Sequence, residues 1–343
     1  MGEKVTIRDV AKYAGVSPAA VSYVLNGVNK VSDETKQRIL KAVKELNYEP
    51  NLTAVSLSKK KSNIIAVMFP LINDSLATIF KDNHYYSEMI SGIEYVMRKH
   101  GYDLLISGAN NPTECMKWIQ KRNVDGLLFL GVFPNRLYKE MKALSTPVVL
   151  VDTYEKYERD FHHITVNDEN GGYIATKHLL DLGHHAIGFV AHHLTDSPID
   201  KKRFSGYERA LREAGMQTCK EHIFEAQDSS FENGYKLGKE LLRHPTRMTA
   251  LFASSDTLAL GIMKALQEGG KRIPDDYSIV GFDDLTFSSY SSPSLTTVRQ
   301  DVFNKGVVAA TAIIQAIESH ATTLQHINLS VELIVRNSTA EKK

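Results

Sequence analysis

Between residues 63 and 283, short apolar runs alternate with segments of helical periodicity. That rhythm restricts the chain to few architectures. Ile64–Phe69, Leu104–Ile106, Gly126–Leu130 and Val148–Val151 read as buried parallel strands. Helical periodicity fills residues 87–100, 113–122 and 135–144 between them. The pattern then returns, with strands at Ile187–Val190, Ala250–Ala253 and Ser278–Gly281 and helices near 169–182, 202–214, 232–243 and 256–268. Two successive βαβ series predict two doubly wound α/β lobes, each with a mostly parallel sheet. A chain of 343 residues has length enough for both and for a further unit. Ligands of such sheets sit beyond the carboxyl ends of the strands, which places the expected site in the cleft between the lobes.

The first sixty residues follow a different rule. Thr6 is an N-cap with Asp9 as its capping-box partner, and Ile7, Val10, Ala11 and Ala14 recur at helical spacing. Gly15 stops that helix, because it takes a left-handed backbone without a Cβ penalty. Ser17 caps a second helix, Pro18 fits its first position, and Val21, Val24 and Leu25 form the buried stripe. Two short helices so closely joined give a helix-turn-helix, whose second helix enters the DNA major groove. Ser32 caps a third helix that turns Ile39, Val43 and Leu46 inward, and Pro50 ends it. Charge separates this segment from an ordinary three-helix bundle. Residues 1–62 hold eleven Lys or Arg against six Asp or Glu, whereas the remainder holds 30 against 34. A net charge of +1 therefore hides a basic head on an acidic body, as expected where one end meets phosphate. Residues 51–62, ending in Lys59-Lys60-Lys61, are too short for a stable isolated helix and read as a hinge that orders against a partner surface.

The string TIRDVAKYAGVSPAAVSYVLNG, followed by LNYEPN and AVSLS, resembles the lactose-repressor (LacI/GalR) family of bacterial transcription regulators. The similarity continues through VDGLLFLG at 124–131, NDENGGYIATKHLLDLGH at 167–184, RFSGY at 203–207, SSDTLALG at 254–261, IVGFDD at 279–284 and SPSLTTVRQD at 292–301. The resemblance implies an all-α headpiece over residues 1–50, a hinge helix over 51–62, and a periplasmic-binding-protein-like core over 63–343. The chain would cross between lobes near 165, 292 and 325. Lobe 1 would then hold about 63–165 plus 293–325, and lobe 2 about 166–292 plus 326–340.

On the exposed face of the second helix, Pro18, Ala19 and Ala20 offer apolar contact suited to a thymine methyl, and Tyr23 reaches a base edge or phosphate. The resemblance assigns direct base readout to Pro18, Ala19 and Tyr23. Ser17, Ser22, Asn26, Ser32 and Tyr48 are candidate phosphate contacts, with helix capping as the competing reading. Leu57 matches the family's minor-groove wedge, although Val55 departs from the pattern beside it.

In the cleft, Asp283 and Arg203 are the leading effector candidates. A carboxylate accepts hydroxyl hydrogens, a guanidinium supplies a fixed fork of donors, and together they suit a sugar. Asp152 and Ser255 follow by the same strand-end logic, while Asp256 and Asp284 flank the ring or serve the helices that follow. The resemblance adds Tyr85 and Tyr86 from the first lobe. It places a second-lobe aromatic at Ser229, where Phe231, two residues on, stands as substitute.

Cys115 and Cys219, far apart, make neither a disulfide scaffold nor a zinc cluster. The pairs His162-His163, His184-His185 and His192-His193 lack metal-ligand spacing, and no cofactor motif is present. With a charged N-terminus and no membrane-length apolar run, the expected setting is the cytoplasm. The expected function is a ligand-controlled transcription regulator of the repressor type, not an enzyme. Its expected partners are a near-palindromic double-stranded operator, a small effector and a second copy of the chain. The tail Asn337–Lys343 is too short for a tetramer-forming heptad helix. Two alternatives stay open: a cytoplasmic α/β sugar-processing enzyme with an added N-terminal module, and a regulator controlled by a protein partner.

Overall fold

The computed structural model describes residues 5–49, 61–71, 80, 84–109, 111–153, 159–192, 194–195, 197–243, 247–319 and 323–342. The chain divides into two units, Met1–Asn63 and Ile64–Lys343. Pro50, Leu57 and most of the expected hinge lie outside the described residues.

In the first unit α1 (Ile7–Ala14), α2 (Pro18–Leu25) and α3 (Asp33–Glu45) enclose Val10, Ala11, Val21, Ile39 and Ala42. The Asp9 carboxylate accepts from both the amide (2.8 Å) and the hydroxyl (2.6 Å) of Thr6, which closes the start of α1. Gly15, at φ +64°, ends it in the left-handed conformation expected of a glycine stop. Ser17 Oγ accepts the Ala20 amide at 3.2 Å and Ser32 Oγ that of Thr35 at 3.3 Å, so both serines are caps.

The second unit holds two six-stranded sheets. The first contains β1 (Ile64–Pro70), β2 (Asp103–Ala109), β3 (Gly126–Leu130), β4 (Val148–Val151), β5 (His162–Val166) and β11 (His326–Leu329). Their order is β11-β5-β4-β3-β1-β2, all parallel. Helices α4 (His84–His100) and α12 (Val302–Ser319) cover one face, and α5 (Pro112–Lys121) and α6 (Asn135–Met141) the other, each over its own apolar cluster. The second sheet contains β6 (Ile187–His192), β7 (Ile223–Ala226), β8 (Ala250–Ala253), β9 (Ser278–Asp283), β10 (Thr296–Arg299) and β12 (Glu332–Ile334). Its order is β12-β10-β9-β8-β6-β7, parallel except for the β10–β12 pair. Helices α7 (Asp168–Asp181) and α8 (Pro198–Glu213) pack on one face, and α9 (Phe231–Arg243) and α10 (Asp256–Glu268) on the other. The short α11 (Thr286–Tyr290) follows β9.

The crossings fall between β5 and α7, between β10 and α12, and between β11 and β12. The last two lie later than the expected positions near 292 and 325. The run Thr296–Arg299 pairs with β9 before the chain leaves lobe 2, and His326–Leu329 still pairs with β5 in lobe 1. The glycines of NDENGGY and RFSGY have a shared cause. A Cβ on Gly172 would stand 2.0 Å from the Arg203 carbonyl oxygen, and one on Gly206 would stand 2.0 Å from that of Glu169. Glycine at both positions lets α7 and α8 cross in backbone contact, which brings their first turns together.

Candidate functional site

That crossing sets the lobe-2 half of the cleft. Arg203 of α8 is 6% exposed, and its Nε donates to Asp168 Oδ1 of α7 at 2.7 Å. Its Nη1 donates to the Ser254 carbonyl, and its guanidinium carbon lies 3.5 Å from the centre of the Phe282 ring. Arg203 Nη1 and Asp283 Oδ1 stand 3.9 Å apart, an ion pair without a direct hydrogen bond. Both groups therefore keep hydrogen-bonding capacity toward the cavity. Asp283 ends β9 at φ +116° and Asp152 follows β4 at φ +60°. Left-handed backbone at a non-glycine residue is unfavourable, and here it turns a carboxylate at the carboxyl end of each sheet.

In lobe 1, Tyr85 of α4 donates its hydroxyl to Asp152. Lys305 of α12 donates to Asp152 Oδ1 at 2.8 Å, to the Tyr85 oxygen at 2.9 Å and to Gln300 Oε1. Gln300 in turn donates to Asp283 across the crossover. Burial, then the Asp152 charge, pushes the Tyr85 and Tyr86 phenols well up, so both remain neutral donors. Burial pushes the Asp283 carboxyl upward, and Arg203, the Gln300 amide and Lys305 work against that rise.

A cavity of about 140 Å³ is lined by Tyr85, Tyr86, Gly131, Asp152, His192, Ile199, Asp200, Arg203, Ser229, Ser254, Ser255, Thr257, Asp283 and Gln300. Of the expected effector residues, Tyr85, Tyr86, Asp152, Arg203, Ser255 and Asp283 are brought together there. Ser255 also caps α10, accepting the Leu258 amide at 3.3 Å. Phe231 is a correction. It opens α9, is 42% exposed, and lines an outer groove with Leu260, Met263, Phe287 and Tyr290, while Ser229 in the preceding loop faces the cavity. The two-residue step from loop to first helical turn carries the side chain round to the far side. Asp256 is fully buried and accepts from the Leu285 amide and the Ser288 and Thr297 hydroxyls, and Asp284 pairs with Arg299 and Arg336. Both tie the crossover together rather than line the cavity.

Gln300, Lys305, Asp168, His192 and Asp200 were not among the expected site residues. His192 Nδ1 lies 3.1 Å from Asp200 Oδ2. The positions of Asp168 and Gln300 inside quoted motifs were the available signal. Lys305, in a stretch with no such motif, carried none.

On α2, Pro18, Ala19 and Tyr23 are exposed, and the Lys30 ammonium lies 5.2 Å from the Tyr23 ring centre. Ala20 and Tyr48 are half-buried against the headpiece core. Asn26 donates to the Ser22 carbonyl (2.9 Å) and hydroxyl (3.2 Å), so these two side chains bond each other. Leu57 lies outside the described residues.

Comparison with known proteins agrees with both units. Residues 6–51 match the model for bacterial regulatory proteins of the lacI family, and residues 176–339 match a periplasmic binding protein-like domain. The chain is 34% identical over 97% of its length, and 98% of the relative's, to an HTH-type transcriptional repressor PurR of Mannheimia succiniciproducens. It is 33% identical over the same shares to a ribose operon repressor of Haemophilus influenzae. Its fold aligns with a Lac repressor dimer bound to operator and the anti-inducer ONPF at TM-score 0.84 and 29% identity, over 98% of this chain and 100% of that one. It also aligns with a LacI family regulator from Enterococcus faecium with bound ribose, at TM-score 0.71 and 28% identity, over 82% and 100%. The chain therefore belongs to the lacI family of bacterial regulatory proteins, as a DNA-binding transcriptional repressor under the control of a small ligand.

Proposed function

We propose that the effector is an uncharged sugar held between Arg203 and Asp283 on lobe 2 and Asp152, Tyr85 and Tyr86 on lobe 1. The observation that carries this is the 3.9 Å gap between the Arg203 guanidinium and the Asp283 carboxylate, each buried and turned to the cavity. A ligand hydroxyl there donates to the carboxylate while its oxygen accepts from the guanidinium. Ser229 on the second-lobe wall favours a sugar over a planar base, because among the described lining residues of that lobe no Phe, Tyr or Trp stands opposite Tyr85 and Tyr86 to complete a stacking sandwich. The relatives described as a ribose operon repressor and a ribose-bound regulator support the same class.

The effector acts by linkage, since it moves the lobes only by its different affinity for their two arrangements. In this proposal the lobe arrangement reaches the operator through residues 51–62, with Leu57 as the minor-groove wedge. Pro18, Ala19, Ala20 and Tyr23 meet base edges, and Ser17, Ser22, Asn26, Ser32 and Tyr48 set register on phosphates, Ser17 and Ser32 with the hydroxyl hydrogen that their cap bonds leave for donation. Such a repressor works in the cytoplasm, carries out no catalysis of its own, and binds as a homodimer on a near-palindromic site. Exposed Tyr290 and Phe231, beside Leu260 and Met263, form an apolar patch on lobe 2 suited to a second copy.

Thermal-shift screening of D-ribose, cellobiose, other neutral sugars and nucleobases tests the ligand class. A bound ligand at a hundred times its Kd adds about 2.7 kcal/mol of stability. A shift with a neutral sugar that disappears in Asp283→Asn is the expected result, and a shift with a nucleobase alone would overturn it.

A further inference from the structure

Beneath the cavity floor a fully buried ammonium joins residues from three distant parts of the chain. Lys305 is 0% exposed, and its three described hydrogen bonds go to Asp152, the Tyr85 hydroxyl and Gln300. An ammonium has donors only, so the Gln300 atom facing it must be the carbonyl oxygen. The Gln300 amide is thereby fixed with its NH2 toward Asp283, where it donates. The result is one polar circuit through Tyr85, Asp152, Lys305, Gln300 and Asp283, which spans the two lobes where β10 passes to α12.

We infer that Lys305 is a positioning residue for the ligand: by orienting Gln300 and pairing Asp152, it holds the two opposed carboxylates of the cleft in place as acceptors for ligand hydroxyl groups. This rests on reading the cleft as the effector site. The cavity lining itself carries Asp152, Asp200 and Asp283 alongside Arg203 and His192, so carboxylate acceptors predominate on its wall. Lys305 lies below that lining, and its three described hydrogen bonds go to Asp152, Tyr85 and Gln300, so it holds the lining groups from beneath. Around Asp283 stand Arg203 on α8, Lys305 on α12, Asp168 on α7, Asp256 on α10 and Tyr85 on α4, with the neutral Gln300 between. Lys305 lowers the Asp283 pKa against burial. Its removal raises that pKa further and leaves the Gln300 amide free to turn.

Isothermal titration of the full-length protein with D-ribose and D-ribose 5-phosphate, across pH 6 to 8 (about the range in which a raised carboxyl titrates), tests this in the parent and in Lys305→Met. The parent is expected to bind D-ribose and reject the phosphate. The variant is expected to bind D-ribose roughly tenfold or more weakly, with affinity falling more steeply as pH falls, because protonated Asp283 loses its charge-assisted acceptor and keeps only a weaker neutral one. Parental affinity with a parental pH profile would overturn the inference, whereas preference of the parent for the phosphate would overturn the neutral-sugar proposal on which it rests. If D-ribose binds neither protein, the sugar proposal loses its first candidate, and Lys305 is judged without ligand. The protonated-carboxyl infrared band that Asp283→Asn abolishes must then titrate at higher pH in Lys305→Met, and an unchanged midpoint overturns the inference. Should Lys305→Met fail to fold, Gln300→Glu keeps a partner for Lys305 but sets a second carboxylate against Asp283, and it must move the same band the same way.

Discussion

Arg203→Ala is expected to damage the fold and the ligand response together. The guanidinium is 6% exposed and faces Asp168, Asp283 and Asp200, which are 2%, 8% and 1% exposed. Its removal breaks the 2.7 Å bond to Asp168, leaves the Ser254 carbonyl without that donor, and strips the cation from the Phe282 ring. Breaking a buried ion pair from one side costs about 3–5 kcal/mol, because the remaining charge is uncompensated. Against a total stability of about 5–15 kcal/mol, the variant should fold but unfold at lower urea. The cost depends on pH with a definite sign. Burial already raises the Asp283 pKa, and loss of Arg203 raises it further. A carboxyl whose folded pKa exceeds its unfolded value costs stability above the folded pKa, and that cost fades as pH falls through it. The deficit relative to parent should therefore be large at pH 8 and smaller at pH 5 (about the limits over which such a buried carboxyl titrates). Effector affinity should fall about ten- to a hundredfold, the worth of one charge-assisted bond. Urea titrations at both pH values give the first quantity and calorimetry the second. A deficit below about 1 kcal/mol, equal at both pH values, or a parental ligand midpoint, would refute this view of Arg203.

Gly206→Val should cost several kcal/mol, since even a Cβ would lie 2.0 Å from the Glu169 carbonyl oxygen, and thermal melting would show it; a parental melting temperature would mean that α7 and α8 separate freely. Tyr290→Asp should shift the protein from dimer to monomer in sedimentation, the exposed ring being replaced by a charge at the apolar patch. Leu57→Ala should reduce DNA bending and specific affinity while leaving effector binding in solution unchanged, and equal bending by variant and parent in a gel-phasing assay would remove the wedge assignment.

Much of the architecture was legible because its signals are local. Thr6, Gly15, Ser17 and Ser32 announce helix ends through their own backbone preferences, and fully buried runs such as Gly126–Leu130 announce central strands. The short edge strand β12 and half-exposed β7 and β11 carry no comparable apolar run, which is why they and the later crossing positions escaped. Asp152, Arg203 and Asp283 were legible as chemistry at strand ends or in a motif. Lys305 was not, because its role comes from Asp152 and Tyr85, 153 and 220 residues away in the chain. Phe231 shows the converse, as the family's aromatic position two residues earlier pointed to it while the start of α9 turned it outward.

The most direct test is selection of DNA by the full-length protein from random duplexes, followed by titration of the selected site at several salt and effector concentrations. A two-fold symmetric sequence should emerge. Affinity for it should fall linearly in log–log form as salt rises from about 50 to 200 mM, through release of counterions from the neutralised phosphates. The sugar that stabilises the cleft should change that affinity in the parent and lose this effect in Asp283→Asn. Enrichment of no sequence, or operator affinity indifferent to every ligand that binds the cleft, would contradict the assignment of this chain as a ligand-controlled repressor.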